Sequence, residues 1–238
     1  MKCLVFDIYG DYGHFRKFYT TSSPLTFSIP PRTSIIGMIA ALIGLDKDEY
    51  LEYFPKESTK IAVKINNPVN KGRISYTLID TKKCRSNKGV TYLNEISGRT
   101  QVTFEILKNP NYRIYFCHED QNIYSKVKNY LEQGKNYYTL SMGLSEFIAD
   151  YTYIGEIDVE PVSNKDFVNI DTVINFDENI EVEFENGKEY FKDTIQNQMD
   201  TDRVVTEYIK VLFERQGLPI KCKIDYYRGN EGEKIVFL

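Results

Sequence analysis

The stretch "GDYGHFRKFYTTSSPLTFSIPPRTSIIGMIAALIGL", Gly10 to Leu45, changes character twice. It opens with glycine, aromatics and base, crosses a Ser/Thr/Pro connector, and ends in an apolar run. The apolar part predicts a helix. Pro30 and Pro31 suit its first positions, where a missing N–H would be an orphan anyway, and Gly44 suits its C-terminal stop. The run from Ile35 to Leu45 is roughly half of the ~20 residues that span a bilayer, so it reads as a buried helix. Just before the stretch, "KCLVFDIYG" (Lys2 to Gly10) mixes β-branched, aromatic and apolar residues and reads as a buried strand.

The chain continues in the same alternating manner. "TKIAVKIN" (Thr59 to Asn66) alternates like a strand. Strand-like "RISYTLID" and "GVTYLNEI" flank "TKKCRSNK", which predicts a long hairpin with a basic tip. "RTQVTFEIL" and "YRIYFC" read as strands about the turn "KNPN". "QNIYSKVKNYLEQG" carries Ile123, Val127, Tyr130 and Leu131 at helical spacing, with Gly134 as a stop. "SEFIADYTYIGEIDVEPV" is again strand-rich. With the basic excursion and one strand set aside, the order is βαββαβ, the ferredoxin-like arrangement, which RNA-binding domains share.

The fold expected is therefore α+β. A ferredoxin-like (RRM-like) domain spans residues 1–165, with a basic β-hairpin insertion at about 70–99. A small β-rich C-terminal region spans 166–238. In that last third, Asn186-Gly187 within "EVEFENGKEYF" signals a hairpin. "RVVTEYIKVLFERQGLPIKCKIDYY" reads as a strand pair about Gln216-Gly217, with a helix over "DRVVTEYIKVLFERQG" as a competitor. "GEKIVFL" reads as a terminal strand.

At 238 residues and 42% hydrophobic, the chain can bury a real core. No apolar leader with a small-residue cleavage site is visible at the N-terminus. Cys3, Cys84, Cys117 and Cys222 are widely spaced with no CxxC, which predicts neither a zinc site nor a disulfide framework and suits a reduced, cytoplasmic setting. Net charge is −4, yet between Lys71 and Arg99 seven basic residues face two acids. From Asp166 to Leu238 nine basic residues face sixteen acids. A basic segment on an acidic chain is a local footprint for phosphate, or else a solvated loop.

Within the opening stretch, Arg16 and Lys17 can contact phosphates, and His14, Phe15, Phe18 and Tyr19 can stack on unpaired bases. Thr20 and its neighbours can bond phosphate or 2′-hydroxyl oxygens. Arg32 and Thr33 sit in the first turn of the predicted helix, where free N–H groups favour an anion. The residues alone leave open the plainer reading, in which Phe15, Phe18 and Tyr19 are core and Arg16 makes a surface ion pair.

"FDIYGDYGHFRKFYTTSSPLTFSIPPRTSIIGMIAALIGL" closely resembles the N-terminal signature of the Cas-five family, RAMP-type subunits of the CRISPR interference complex Cascade. "GRTQVTFEIL", "YTLSMGLSEFIADY" and the terminal "GEKIVFL" support the resemblance, whose flavour is type I-B-like. It implies a ferredoxin-like domain with a protruding thumb hairpin, which caps the 5′ handle of the crRNA. It also implies contacts with the neighbouring backbone subunit and the large subunit. The thumb would carry Arg73, Lys82, Lys83, Arg85, Lys88 and Arg99, and Ser141, Met142 and Gly143 would form a turn close to the RNA.

One branch of the family cuts repeat RNA without metal, which needs a base and an acid. Here a set such as Tyr19, His118 and Lys126 is the candidate. Glu119 and Asp120 beside His118 would repel the scissile phosphate, and the I-B-like branch uses a separate endonuclease, so a non-catalytic role is expected. No GxxxxGK[ST], GxSxG, HExxH or GxGxxG is present, so neither metal nor cofactor is expected. A ferredoxin-like domain binding a small anion at Arg32 is the reading outside the family.

Overall fold

The computed structural model describes residues 1–79 and 98–238. In chain order the first part holds β1 (Lys2–Tyr9), β2 (Tyr12–Gly13), α1 (Arg32–Ile43), α2 (Tyr50–Tyr53), β3 (Thr59–Ile65), β4 (Lys71–Ile79), β5 (Arg99–Lys108), β6 (Asn111–His118), α3 (Gln121–Glu132) and β7 (Asp150–Val162). The rest is β-strand: β8 (Val168–Ile170), β9 (Ile174–Asn175), β10 (Glu181–Val182), β11 (Tyr190–Met199), β12 (Val205–Glu214), β13 (Ile220–Lys223), β14 (Tyr226–Gly229) and β15 (Lys234–Ile235).

The main sheet runs β15-β14-β7-β1-β6-β3, and every neighbouring pair is antiparallel. Helix α1 crosses from β1 to β3, and α3 from β6 to β7, so the chain is mixed α+β. Alternation along β1 sends Leu4, Phe6 and Ile8 to the main core, where they meet α1. Cys3 and Val5 point to a second cluster on the opposite face. Helix α1 is apolar on nearly every side, as expected of a helix enclosed by the fold. Its start lies two residues later than Pro30: Pro31 caps it and Arg32 is its first residue. Gly44 ends it at φ 72. In α3, by contrast, Ile123, Val127 and Leu131 form one buried stripe, and the Asp120 side chain accepts from the Asn122 N–H at 2.7 Å to cap the first turn.

Several expected pairings are replaced by others. β5 and β6 do not pair across "KNPN": β5 joins β4 and β2, while β6 joins β1 and β3. Asn186-Gly187 does turn, but β10 pairs with β13 and β11 with β12, so no hairpin closes there. Residues 205–214 are strand rather than helix, and β12 and β13 lie in different sheets. Period-2 patterns mark strands but do not name partners. The segment after 165 also adds β14 and β15 to the main sheet edge, and its Ile195, Ile209, Val211 and Phe213 share the main core.

The cysteine expectation is corrected. Cys3 on β1 faces Cys117 on β6 with Cα atoms 4.5 Å apart, and the two form a disulfide. That spacing belongs to a non-hydrogen-bonded antiparallel pair. Only register brings together residues 114 positions apart.

Candidate nucleic-acid interface

The segment from His14 to Phe27 folds back on itself. Phe27 N–H donates to Phe15 O (2.7 Å), Lys17 N–H to Leu25 O (2.8 Å), and Phe15 N–H to Thr26 Oγ1 (2.9 Å). This clamp decides which aromatics are free. His14 and Phe15 turn inward, at 2% and 3% exposure, while Phe18 and Tyr19 stand out at 48% and 57%. The His14 imidazole donates from Nδ1 to Glu105 O (2.7 Å) and meets Phe104 edge-on, and burial holds its pKa below the ordinary value. Neither His14 nor Phe15 offers a face to a base. Lys17 pairs with Asp193 at 2.6 Å, and Thr20 bonds Lys17 O within its own turn. The Arg16 side chain is exposed and donates to Thr20 O (3.1 Å).

The second component is the turn 141–148. His14 N–H donates to Met142 O at 2.8 Å, and Met142 N–H to Phe147 O at 2.7 Å. Gly143 holds φ 95, and a Cβ there would lie 2.0 Å from His14 O. Only glycine lets the two backbones approach so closely. Met142 is fully buried, so of the three predicted residues Ser141 and Gly143 face outward.

Between this turn and the start of α1 lies an open groove of about 370 Å³. Phe15 and Met38 line it with Thr33, Ser141 and Gly143, and Met199 and Arg203 close the far side. Arg203 is exposed, holds φ 63 in the β11–β12 turn, donates to Lys47 O (2.8 Å) and lies over the Tyr50 ring. Among the described residues lining the groove it carries the only charge.

Arg32 does not face this groove. It is 1% exposed and donates to Thr59 O (3.0 Å), Asn197 O (3.2 Å) and Phe54 O (3.4 Å). The expected phosphate contact at Arg32 is thus corrected: the guanidinium is taken up by the carbonyls of Phe54, Thr59 and Asn197 inside the fold.

The family model described as "CRISPR-associated protein (Cas_Cas5)" matches residues 3–213. The chain belongs to the Cas5 family. Its fold is similar to that of a CRISPR protein from Archaeoglobus fulgidus, at 13% identity and TM-score 0.61, over 100% of this chain and 99% of that one. It is also similar to a chain of a CRISPR RNA-guided surveillance complex, at 11% identity and TM-score 0.56, over 91% of each. No curated protein sequence matches.

On this Cas5-family chain, Arg73 and Arg99 lie on the exposed β4–β5 ladder, opposite Glu105 and Ile79. Lys82, Lys83, Arg85 and Lys88, with the strand expected over "GVTYLNEI", lie outside the described residues. His118 is 8% exposed, and both its nitrogens are engaged. Asp120 N–H donates to Nδ1 (3.0 Å), so Nε2 carries the hydrogen and donates to Tyr53 O (2.8 Å). Lys126 is exposed on α3, Tyr19 is exposed at the loop tip, and no hydrogen bond joins these three among the described residues. No group of three His, Cys, Asp or Glu side chains among the described residues is placed to hold a metal, and no described helix is long and apolar enough to cross a membrane. Arg203 escapes a reading of "MDTDR", because it reaches the groove only through the β11–β12 turn.

Proposed function

We propose that this Cas5-family chain is a non-catalytic, RNA-holding subunit of a type I, I-B-like CRISPR interference (Cascade) complex. It binds and caps the 5′ handle of the crRNA and contacts the backbone and large subunits. The observation that carries the reading is the convergence of the clamped 14–27 loop, the 141–143 turn, the start of α1 and Arg203 on one groove. A helix start with hydroxyls and a cation suits phosphate, and the apolar wall of Phe15 and Met38 suits the sugar beside it. The likeness to a chain of an RNA-guided surveillance complex supports such an assembly as the setting.

The order β7-β1-β6-β3, with helices crossing β1–β3 and β6–β7, supports a ferredoxin-like core. The β4–β5 ladder supports a thumb. Ile74, Tyr76 and Leu78 line one of its faces opposite Phe104, Val102 and Thr100, a surface suited to a neighbouring subunit. Holding rather than cutting is supported by His118. Protonating its Nδ1 would expel the Asp120 N–H, so the ring is spoken for by structure.

The test is incubation of the chain in EDTA with labelled repeat RNA and with processed handle RNA, alone and with the backbone subunit. Intact RNA, shifted in preference to a scrambled handle, is the expected result. Arg203→Gln should weaken that shift about tenfold. Cleavage at one site would make the chain a nuclease, and equal binding of the scrambled handle would remove the capping role.

A further inference from the structure

Beyond the groove, the loop tip meets the C-terminal third. The Phe18 ring lies 4.7 Å from Tyr208 of β12 and 5.1 Å from Tyr19, the latter edge-to-face at 89°. Tyr208 is 44% exposed, although its neighbour Ile209 is buried, because alternation along β12 sends Tyr208 and Lys210 outward. Three large rings from two distant segments are thus held together at the surface, each partly exposed, with the Lys17 ammonium over the Tyr19 ring. A lone exposed aromatic needs no explanation, but a built cluster does.

The charge around the rings selects the partner. Asp193 is tied to Lys17, and Glu207 is tied to Lys56 and to the Asn197 amide. Arg16 and Lys210 make no ion pair among the described residues and are exposed. Paired acids, open cations and partly exposed rings fit an anionic chain of aromatic units, which is single-stranded nucleic acid. The same elements feed the groove: Phe15 and Arg203 line it, three residues before Phe18 and five before Tyr208. Three residues of chain reach at most about 11 Å even when fully extended, so the two surfaces adjoin.

We propose that Tyr208 completes, with Phe18 and Tyr19, a stacking platform that takes unpaired bases of the single-stranded RNA running out of the groove. The proposal rests on the RNA-holding reading and adds a site on the C-terminal third. The chain has no Trp, so Tyr208→Trp introduces a sole indole reporter that keeps the stacking surface. Titrated with single-stranded handle RNA, its emission should be quenched with the same midpoint as the gel shift. Tyr208→Ala, folded by circular dichroism, should bind about 5- to 150-fold more weakly with an unchanged salt slope, whereas Lys210→Gln should lower the slope. RNA bound with the indole emission of Tyr208→Trp unmoved, or Tyr208→Ala binding like the parent, would overturn the platform alone. A response to the backbone subunit but not to RNA would reassign the rings to a protein contact and also overturn it. No RNA bound by the parent, alone or with that subunit, would overturn the RNA-holding reading and the platform with it.

Discussion

Replacing Arg32 separates a structural cation from a binding one. In Arg32→Met the three carbonyls of Phe54, Thr59 and Asn197 lose their donor while remaining buried. Each such loss costs about 1–3 kcal/mol. Against this, the variant no longer desolvates a guanidinium, a cost already visible in the lowered Arg32 pKa, which burial causes. Glu207, whose field favours that charge, loses a counter-ion. The balance is a destabilisation of about 3–5 kcal/mol, in the range found when one partner is removed from a buried charged network.

Urea unfolding followed by circular dichroism reads this directly, as a midpoint lower by about 1–2 M. Arg32→Lys keeps the charge but not the fork that serves carbonyls at the end of α2, in β3 and in β11, so it should fall between the parent and Met. At a temperature where all are folded, handle RNA should bind both variants as it binds the parent. Arg203→Gln should do the reverse, leaving stability within about 0.5 kcal/mol and losing affinity. If Arg32→Met were as stable as the parent yet bound RNA poorly, the guanidinium would be a phosphate ligand and the buried assignment would be wrong.

Two further outcomes are expected. The Glu156 carboxylate accepts from Lys2, Tyr124 and Lys128, which together pull its pKa from 4.5 down to about 2. A carboxylate depressed in the folded state stabilises above its unfolded pKa and loses that contribution as pH falls from about 4.5 towards 2. Glu156→Gln should therefore flatten acid unfolding by about 1–2 kcal/mol, the partly exposed lysines screening the rest, and an identical acid profile would refute the linkage. The Cys3–Cys117 bond should make both residues resist alkylation until reduced, and digestion should yield one cross-linked peptide pair. Reduction should cost about 2–4 kcal/mol, and ready labelling of Cys3 in the unreduced chain would exclude the bond.

Local pattern carried the elements but not their partners. β1, β3, β6, β7, α1 and α3 are all readable because each has one dominant period or one continuous apolar run. That β5 reaches back to β2 and β10 forward to β13 is a long-range matter, and the Asn186-Gly187 turn misleads because a good turn does not oblige its flanks to pair. The site shows the same division. "HFRKFYTT" lies in a loop, where no period states which ring is core. The clamp to Leu25 and Phe27 buries Phe15 and expels Phe18. Arg32 begins a helix apolar all round, so its direction is set by carbonyls of Phe54, Thr59 and Asn197, distant in the chain.

The acidic C-terminal third then has a physical reading that its net charge hides. Four of its acids are answered within the segment: Glu181 by Lys223, Glu183 by Lys221, Glu185 by Lys188, and Glu189 by Arg215. Two more are answered from the N-terminal half, Asp193 by Lys17 and Glu207 by Lys56. At physiological salt, charges beyond about 8 Å are screened, so an RNA phosphate entering the groove, as proposed, would respond to Arg203 rather than to paired acids elsewhere. Arg32 meanwhile ties β11 to the start of α1, one residue before Thr33 opens onto that groove. The helix start is thus a clamp on its buried side and a wall of the groove on the other, and the segment it clamps supplies the groove's cation.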